Sequence, residues 1–210
     1  NQYVGNWPGV TVEKKEGYLK KHKEYMLVDL PGIYSLFPNS LEEVITRNYL
    51  LEEEIDCIIN IVDASNLERN LYLTTQIMEM GIPTIVVLNL MDVVLKEGDF
   101  INMDRLSNQL GCPVVATAAS KKMNVTHVAL KAIEVANTET TAKIRKIMSS
   151  DTEKAIDAVA GILSSYVKQS VRWFAIKVIE GDQKVLDLLM LPLEVVEKVN
   201  ISSERVGKAA

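Results

Sequence analysis

The sequence is poor in residues that build disulfide or metal-bound frameworks. It has two cysteines and two histidines in 210 residues. Cys57 and Cys112 lie far apart in apolar surroundings. We therefore expect buried free thiols in a reducing compartment rather than a disulfide. His22 and His127 are each solitary, a pattern more typical of solvent-facing side chains than of metal ligands.

Long apolar runs and an excess of positive charge are also absent. No run reaches the roughly 18 apolar residues of a membrane span, and the polar first residues lack the apolar region of a signal peptide. A net charge of -5 and a pI near 5.2 argue against a basic face for nucleic acid, so no nucleic-acid partner is predicted. The 48% hydrophobic content is enough to fill a sizeable core.

Strand-like and helix-like segments alternate through the first part of the chain. Alternation over residues 10–19 and 25–30 predicts two paired strands, and three apolar runs after residues 55, 81 and 110 predict buried strands of a parallel sheet. Between them, Ser40 with Glu43 forms a capping box ahead of a helix, and a second helical segment stops at Gly81. The pattern predicts an α/β domain over residues 1–137, with a mostly parallel sheet flanked by helices.

From about residue 138 the strand runs disappear and helical segments follow one another. We predict helices over 152–167, 171–180, 183–190 and 193–199. Ile156, Val159 and Leu163 fall on one face of the first of these helices. Because this apolar stripe needs cover, the small all-helical domain over 138–210 is expected to pack against the first domain.

Polar or small residues follow the predicted strands at four places. Singly, each is a weak signal: D-x-x-G is usually a turn, N-x-x-D is usually a helix N-cap, and a small-residue run usually reflects tight packing. In this order, the set matches a guanine-nucleotide-binding domain, whose ligand lies beyond the carboxyl ends of the strands. The four places are Thr11, Asp29 to Gly32 in "DLPG", Asn89 to Asp92 in "NLMD", and Thr117 to Ser120 in "TAAS".

The last two places carry the chemistry that selects guanine. A carboxylate at Asp92 can accept hydrogen bonds from both the ring N–H and the exocyclic amine of guanine, a donor pair that adenine lacks. Asn89 would brace the loop, and small residues let backbone N–H groups reach the guanine carbonyl. The predicted base-binding residues are Asn89, Leu90, Met91, Asp92, Ala118, Ala119 and Ser120.

The first two places suit a γ-phosphate and its magnesium ion. Asp29 is placed to hold Mg²⁺ through a water, and the Gly32 amide can face the γ-phosphate because glycine lets the backbone come close. The Thr11 hydroxyl would complete the magnesium shell, so that its loop orders with GTP and relaxes after hydrolysis. The predicted residues are Gly9, Val10, Thr11, Asp29, Leu30, Pro31 and Gly32, with Thr11 and Gly32 as catalytic candidates.

Five segments together resemble one protein family. "VGNWPGVTVEKKEG", "DLPGIYSL", "LEEVITRNYL", "VDASNLERNLYLTTQ" and "RWFAIKVIEGD" are similar to the cytoplasmic GTPase region of bacterial and archaeal ferrous iron transport protein B, up to about residue 182. Leu90 stands where generic small GTPases carry lysine in Asn-Lys-x-Asp, and an apolar residue there is usual in this family. Ile33 stands where Ras-like proteins carry a water-orienting glutamine.

The resemblance implies more than the residues alone indicate. It implies a GTPase that binds GTP or GDP, Mg²⁺ and K⁺, followed by a helical domain resembling a dissociation inhibitor. Main-chain carbonyls of Gly5 and Trp7 would hold the potassium ion. The implied partner is a membrane-embedded iron(II) permease in the same polypeptide, at the cytoplasmic face of the cell membrane. A homo-oligomer is left open.

One element of the family is not found in the sequence. No G-x-x-x-x-G-K-[ST] phosphate loop occurs in the 210 residues. We expect the first strand, the phosphate loop and the first helix to precede Asn1, and the chain as it stands to bind GTP weakly. Two alternatives stay open: a nucleotide-sensing switch without catalysis, and a translation- or tRNA-associated GTPase. The acidic pI and the segment "VGNWPGVTVEKK" count against the second.

Overall fold

The computed structural model describes residues 2–138, 146 and 148–199. The chain begins with strands β1 (Gln2–Asn6), β2 (Glu13–Tyr18) and β3 (Met26–Asp29), followed by helix α1 (Leu41–Glu52). Next come β4 (Ile58–Asp63), α2 (Leu67–Glu79), β5 (Thr84–Asn89), α3 (Met91–Glu97), α4 (Met103–Leu110), β6 (Val114–Ala116) and α5 (Val125–Ala136). The helical part comprises α6 (Ser150–Leu163), α7 (Val171–Ile179), α8 (Gln183–Leu189) and a helix over residues 193–199.

The first three strands form an antiparallel sheet in the order β1-β2-β3. Lys15 at the centre of β2 lies opposite both Val4 and Asp29. The predicted pairing of residues 10–19 with 25–30 is confirmed, although β2 begins three residues later because a turn occupies its start. The sequence pattern does not predict β1, which is short and contains a glycine.

The second sheet is parallel, in the order β4-β5-β6. Its central strand carries the most apolar run: Ile85, Val86 and Leu88 have no exposed surface. Helices α2, α4 and α5 pack on this sheet. This arrangement confirms the predicted α/β class with helices flanking a parallel sheet.

Strands β3 and β4 are not hydrogen-bonded to each other, so the described strands form two sheets rather than one. Each of these strands keeps a free edge within the described part of the chain. Apolar side chains on both strands stay exposed: Leu27 on β3 is 49% exposed and Ile61 on β4 is 66% exposed.

The helical part packs on the α/β part through one apolar cluster. Ile156, Leu163 and Trp173 are almost fully buried with Leu50 of α1 and Ile77 of α2. The prediction that the apolar stripe of α6 is covered by the first domain is therefore confirmed. No helix of the described chain combines the length and apolar character needed to cross a membrane.

A charged network crosses the same interface. Arg172 of α7 donates to Glu79 of α2 (Nε to Oε2, 2.5 Å) and to Glu153 of α6 (Nη1 to Oε2, 2.8 Å). The hydrogen bond from Arg172 lowers the pKa of Glu153, against partial burial, which raises it. Burial lowers the pKa of Arg172, but its bonds to Glu153 and Glu79 outweigh that effect and raise it.

The predicted boundary between residues 137 and 138 falls between α5 and α6. Helix α5 ends at Ala136 and α6 begins at Ser150, but residues 139–145 and 147 lie outside the described residues. Residues 200–210 of the predicted helical domain lie outside them as well. Both limits of that domain therefore stay predictions.

Candidate functional site

Three polar residues lie side by side where the parallel strands end. Asp63 of β4 is opposite Asn89 of β5, and Leu88 is opposite Ala116, which places Thr117 next to Asn89. Ligands of parallel α/β sheets bind at this carboxyl edge. The edge therefore holds two of the four predicted ligand-binding places, with Asp63 as an additional neighbour.

Asn89 joins the two loops at this edge. Its side-chain oxygen accepts hydrogen bonds from the Ala119 N–H (3.0 Å) and from the Thr117 hydroxyl (3.3 Å). The Thr117 carbonyl in turn accepts from the Met91 N–H (3.1 Å). Asn89 thus braces the loop as predicted, while Thr117 provides bonds that the sequence pattern did not assign to it.

Leu90 turns the chain between β5 and α3. Its φ of +63° lies in the left-handed region, which is uncommon for a residue other than glycine. Its carbonyl accepts from the Val93 N–H at 2.9 Å and so begins α3. Backbone strain of this kind clusters at functional sites, and here it positions Asp92 in the first turn of the helix.

The two carboxylate oxygens of Asp92 have different surroundings. Oδ2 forms an ion pair with Lys121 Nζ at 2.6 Å, whereas Oδ1 is buried and has no hydrogen-bond partner in the described part of the chain. The hydrogen bond from Lys121 is the main cause that lowers the pKa of Asp92, and the nearby backbone N–H groups of Asp92 and Val93 lower it further although neither forms a hydrogen bond of ordinary geometry with Oδ1. Asp92 is therefore ionised at neutral pH, with one acceptor oxygen still available.

The small residues predicted to approach the base are held in a tight turn. Ala118 is fully buried and its carbonyl accepts from the N–H groups of Lys121 (2.9 Å) and Met123 (3.2 Å). Ala119 and Ser120 are exposed on the outer side of this turn. The structure thus brings Asn89, Leu90, Met91, Asp92 and the 118–120 loop together, and their role as one base-binding site stays a prediction.

The loop before β2 carries Thr11. The Val10 N–H donates to the Trp7 carbonyl (3.2 Å) across Pro8 and Gly9, and Gly9 has a φ of +73°. This is a type II turn, which requires a positive φ at its third residue. Thr11 follows the turn, is exposed, and its hydroxyl makes no hydrogen bond within the described residues.

Register places the D-x-x-G segment near the same loop. Because Lys15 lies opposite Asp29, the start of β2 meets the end of β3, where Asp29 to Gly32 lie. Tyr34, two residues beyond Gly32, stacks under Arg69 (4.3 Å from guanidinium carbon to ring centre), close to the start of α2. Because α2 follows the carboxyl end of β4, this segment lies at the same edge as the base-binding residues.

Thr11 and the Asp29 to Gly32 segment make fewer contacts with each other than the base-binding residues do. Thr46 of α1 donates to the Pro31 carbonyl (3.3 Å), and Leu30 packs against the main apolar cluster. Asp29 and Gly32 are exposed. Among the described residues, no hydrogen bond joins Thr11 to Asp29 or Gly32. The assignment of these residues to Mg²⁺ and the γ-phosphate stays a prediction.

The main-chain groups assigned to potassium have partners within the hairpin. Gly5 lies opposite Lys14 in the β1–β2 ladder, and the Trp7 carbonyl accepts from Val10. One such hydrogen bond leaves a carbonyl oxygen with a second lone pair, so the assignment of Gly5 and Trp7 to potassium stays a prediction. The Trp7 ring is buried against Tyr49 of α1, edge to face at 5.3 Å between ring centres.

Further polar groups lie beside the end of β4. Asp63 accepts from the N–H (2.9 Å) and hydroxyl (2.6 Å) of Ser65, and these bonds lower its pKa. Residues 65–69 line an open depression of about 510 Å³. Neither Asp63 nor this depression was predicted to be functional, since a short cap after a strand carries no distinctive sequence signal.

Besides this edge of the sheet, side chains that could bind a metal ion and the two cysteines are the other possible functional groups of the described residues. The described residues contain no group of three or more His, Cys, Asp or Glu side chains that could hold an ion. Cys57 and Cys112 are free thiols, as predicted, and burial raises the pKa of each to about 11. They are therefore thiols rather than thiolates at neutral pH.

Comparison with known proteins finds close similarity. A family model described as "Ferrous iron transport protein B" matches residues 1–132, and one described as "FeoB cytosolic helical domain" matches residues 149–209. The Fe(2+) transporter FeoB of Salmonella typhimurium is 41% identical over 186 residues, which cover 86% of this chain and 24% of the transporter. The chain thus spans about a quarter of that relative's length.

Solved structures with a similar fold cover the entire chain. A mutant of S. thermophilus NFeoB bound to mGDP has a TM-score of 0.91 and 44% identity, and this chain covers 81% of it. NFeoB from S. thermophilus bound to GDP.AlF4- and K+ has a TM-score of 0.88 and 44% identity, with 82% covered.

Proposed function

This chain belongs to the ferrous iron transport protein B family, and on that premise we propose that it binds guanine nucleotide and hydrolyses GTP. The base would lie at the carboxyl edge of β5 and β6, between Asp92 and the 118–120 loop. Nucleotide turnover would regulate iron(II) uptake by a membrane permease in the same polypeptide, with this part of it at the cytoplasmic face.

The observation that carries the proposal is the unpartnered oxygen of Asp92. Oδ1 is buried without a hydrogen bond in the described chain, although leaving a buried carboxylate oxygen unsatisfied is costly. A guanine N–H would satisfy it. Asn89 holds the 118–120 loop beside this carboxylate through the Ala119 N–H, so acceptor and loop can meet the same planar base.

The phosphates would lie towards Thr11 and the D-x-x-G segment. A hydroxyl (Thr11) and a carboxylate (Asp29) are oxygen ligands of the kind that Mg²⁺ prefers. Both side chains are exposed and make no ion pair within the described residues. When bound, Mg²⁺ would neutralise charge on the phosphate oxygens. Gly32 would present its N–H to the γ-phosphate, and Cβ added there would meet nothing within 4 Å.

Hydrolysis would rely on the backbone rather than on a glutamine. Ile33 occupies the position after Gly32 and cannot orient a water. The chain's own contribution would be to hold the Thr11 loop and Gly32 against the γ-phosphate. No phosphate-loop motif occurs in the 210 residues, so the phosphate contacts proposed for this chain are those of Thr11 and Gly32.

Potassium has weaker support than the nucleotide. The NFeoB structure with GDP.AlF4- also holds K+, which favours a potassium ion in this chain. The main-chain carbonyls of Gly5 and Trp7 are proposed as its ligands, and the Trp7 carbonyl also accepts from the Val10 N–H.

The proposal is tested by a substitution at Asp92 that should shift the preference of the protein from guanine to xanthine nucleotides. In the natural polypeptide, with any residues encoded before Asn1 included, Asp92→Asn reverses one acceptor into a donor. Two hydrogen bonds to a carboxylate are worth about 3 kcal/mol, so GTP should bind on the order of a hundredfold more weakly. Xanthosine triphosphate, which offers an acceptor where guanine has its amine, should bind more tightly.

Controls separate the base site from general effects. Asp99→Asn makes the same chemical change at an exposed residue beyond α3 and should leave both affinities unchanged. An unchanged preference in the Asp92→Asn protein would remove this residue from the site. Phosphate release measured on the wild-type protein then separates a GTPase from a nucleotide-sensing switch without catalysis.

A further inference from the structure

The ion pair between Lys121 and Asp92 occupies part of the proposed base-binding site. Lys121 Nζ is 2.6 Å from Asp92 Oδ2. The lysine side chain is 66% exposed, whereas that of Asp92 is 22% exposed. The ammonium group therefore approaches the carboxylate from the solvent side, the side open to a nucleotide entering from water.

The backbone around Lys121 is fixed by the turn, whereas its side chain is held by the ion pair with Asp92 alone among the described contacts. Its N–H donates to the Ala118 carbonyl at 2.9 Å within the turn that Asn89 braces. The side chain has no other ion pair among the described residues. Lys121 can thus rotate away from Asp92 without disturbing the loop that is expected to contact the base.

Guanine and Lys121 need the same acceptor. The proposed contact uses both oxygens of Asp92, one for the ring N–H and one for the exocyclic amine. Oδ1 is free to accept, but Oδ2 is engaged by the ammonium group. Full base recognition therefore requires Lys121 to give up its bond to Oδ2.

We propose that Lys121 is an internal competitor for guanine, which neutralises Asp92 when the base is absent and withdraws into water when the base binds. The inference rests on the proposed function. It assigns Lys121 a part in setting nucleotide affinity: the protein releases its nucleotide more readily because a built-in cation replaces the departing base. No described side chain other than Lys121 pairs with this carboxylate.

The size of the effect follows from the exposure of the pair. A solvent-exposed ion pair changes an equilibrium constant by up to about fivefold. If the state with the Lys121–Asp92 ion pair is favoured by this factor in the nucleotide-free protein, the apparent affinity for guanine nucleotide is lowered by a similar factor. Removing the lysine charge should therefore tighten binding by about two- to fivefold.

The experiment compares four proteins that carry their natural N-terminal residues: wild type, Lys121→Gln, Lys121→Arg and Lys122→Gln. Lys122 is the matched control, because it is the adjacent exposed lysine, has the same charge and forms no ion pair in the described chain. Fluorescent mant-GDP is titrated at low and high salt. We expect Lys121→Gln to bind about two- to fivefold more tightly at low salt, with Lys121→Arg and Lys122→Gln close to wild type.

Salt distinguishes competition from a structural role. Because ions screen the exposed pair, the advantage of Lys121→Gln should shrink towards unity at high salt. Equal or weaker binding by Lys121→Gln would overturn the proposal, as would an advantage that high salt leaves unchanged. If wild type itself binds no guanine nucleotide, the proposed function fails instead.

A measurement without nucleotide checks the ion pair itself. Carboxyl NMR titration of Asp92 in the nucleotide-free protein should show its pKa rising towards the ordinary value in Lys121→Gln and staying low in Lys122→Gln. An Asp92 pKa that does not respond to Lys121→Gln would show that the pair does not form in solution and would overturn the competitor role.

Discussion

Replacing Arg172 with methionine should destabilise the interface between the helical part and α2. The substitution keeps most of the apolar stem but leaves Glu79 and Glu153 without their cation, at side-chain exposures of only 12% and 8%. Removing one partner from a buried ionic network costs about 3–5 kcal/mol. That is a large share of the 5–15 kcal/mol that typically separates folded from unfolded protein.

The free energy of unfolding can be measured by urea denaturation, followed by circular dichroism. A triple variant, Arg172→Met with Glu79→Gln and Glu153→Gln, removes the charges together and should recover most of the lost stability. Glutamine at 153 can still accept the bond from the Met148 N–H. As a control, Lys154→Met breaks the exposed ion pair with Asp151 on α6, the helix that carries Glu153, and should lower the free energy of unfolding by about 0.5 kcal/mol or less.

Lowering the pH should reduce the difference in the free energy of unfolding between wild type and Arg172→Met. The folded-state pKa of Glu153 is lowered, so its contribution is present above its unfolded pKa and is lost as the pH falls through the folded value. The two unfolding free energies should therefore begin to converge below about pH 4.3, the ordinary pKa of glutamate, and should meet below the lowered folded-state pKa of Glu153. A loss under 1 kcal/mol at pH 7, or a triple variant as unstable as the single one, would refute the reasoning.

Two further substitutions test single sites in the first domain. Thr11→Ala should leave GDP affinity nearly unchanged and slow GTP hydrolysis, measured by phosphate release, by about tenfold or more. The reason is that the Thr11 hydroxyl is expected to contact only Mg²⁺ and the γ-phosphate. An unchanged rate per folded molecule would remove Thr11 from catalysis. Ser40→Ala removes the hydroxyl that accepts from the Glu43 N–H (3.2 Å) at the start of α1. The free energy of unfolding, measured by urea titration, should fall by about 1 kcal/mol. No change would mean that this cap does not contribute to stability.

Local signals account for what the sequence predicts correctly. The capping box at Ser40 and Glu43 is a four-residue pattern, and both of its hydrogen bonds are present. The apolar runs of β4, β5 and β6 need only their own composition to be identified as strands, but burial on both faces is complete only in β5, since Ile61 of β4 is exposed. The position of Asn89 and Asp92 at the carboxyl edge of the sheet follows from their sequence, because Asn89 ends β5 and Asp92 lies three residues beyond it.

Contacts between distant residues account for what the sequence does not predict. Ala119 is 30 residues from Asn89, and Arg172 is 93 residues from Glu79, so no local period reports either bond. The Lys121–Asp92 pair is likewise invisible in sequence, since an exposed lysine after a strand usually faces water. Strand β1 lacks a clear alternation and is formed only by pairing with β2.

The buried position of Trp7 gives the protein a built-in optical label. The sequence contains only two tryptophans, and they lie in different parts of the molecule. Trp173 is enclosed in the helical core, whereas Trp7 closes the hairpin loop that leads to Thr11. Emission from a Trp173→Phe protein would therefore come from the hairpin alone, and its wavelength and quenching by iodide would follow any opening of that loop without an attached dye.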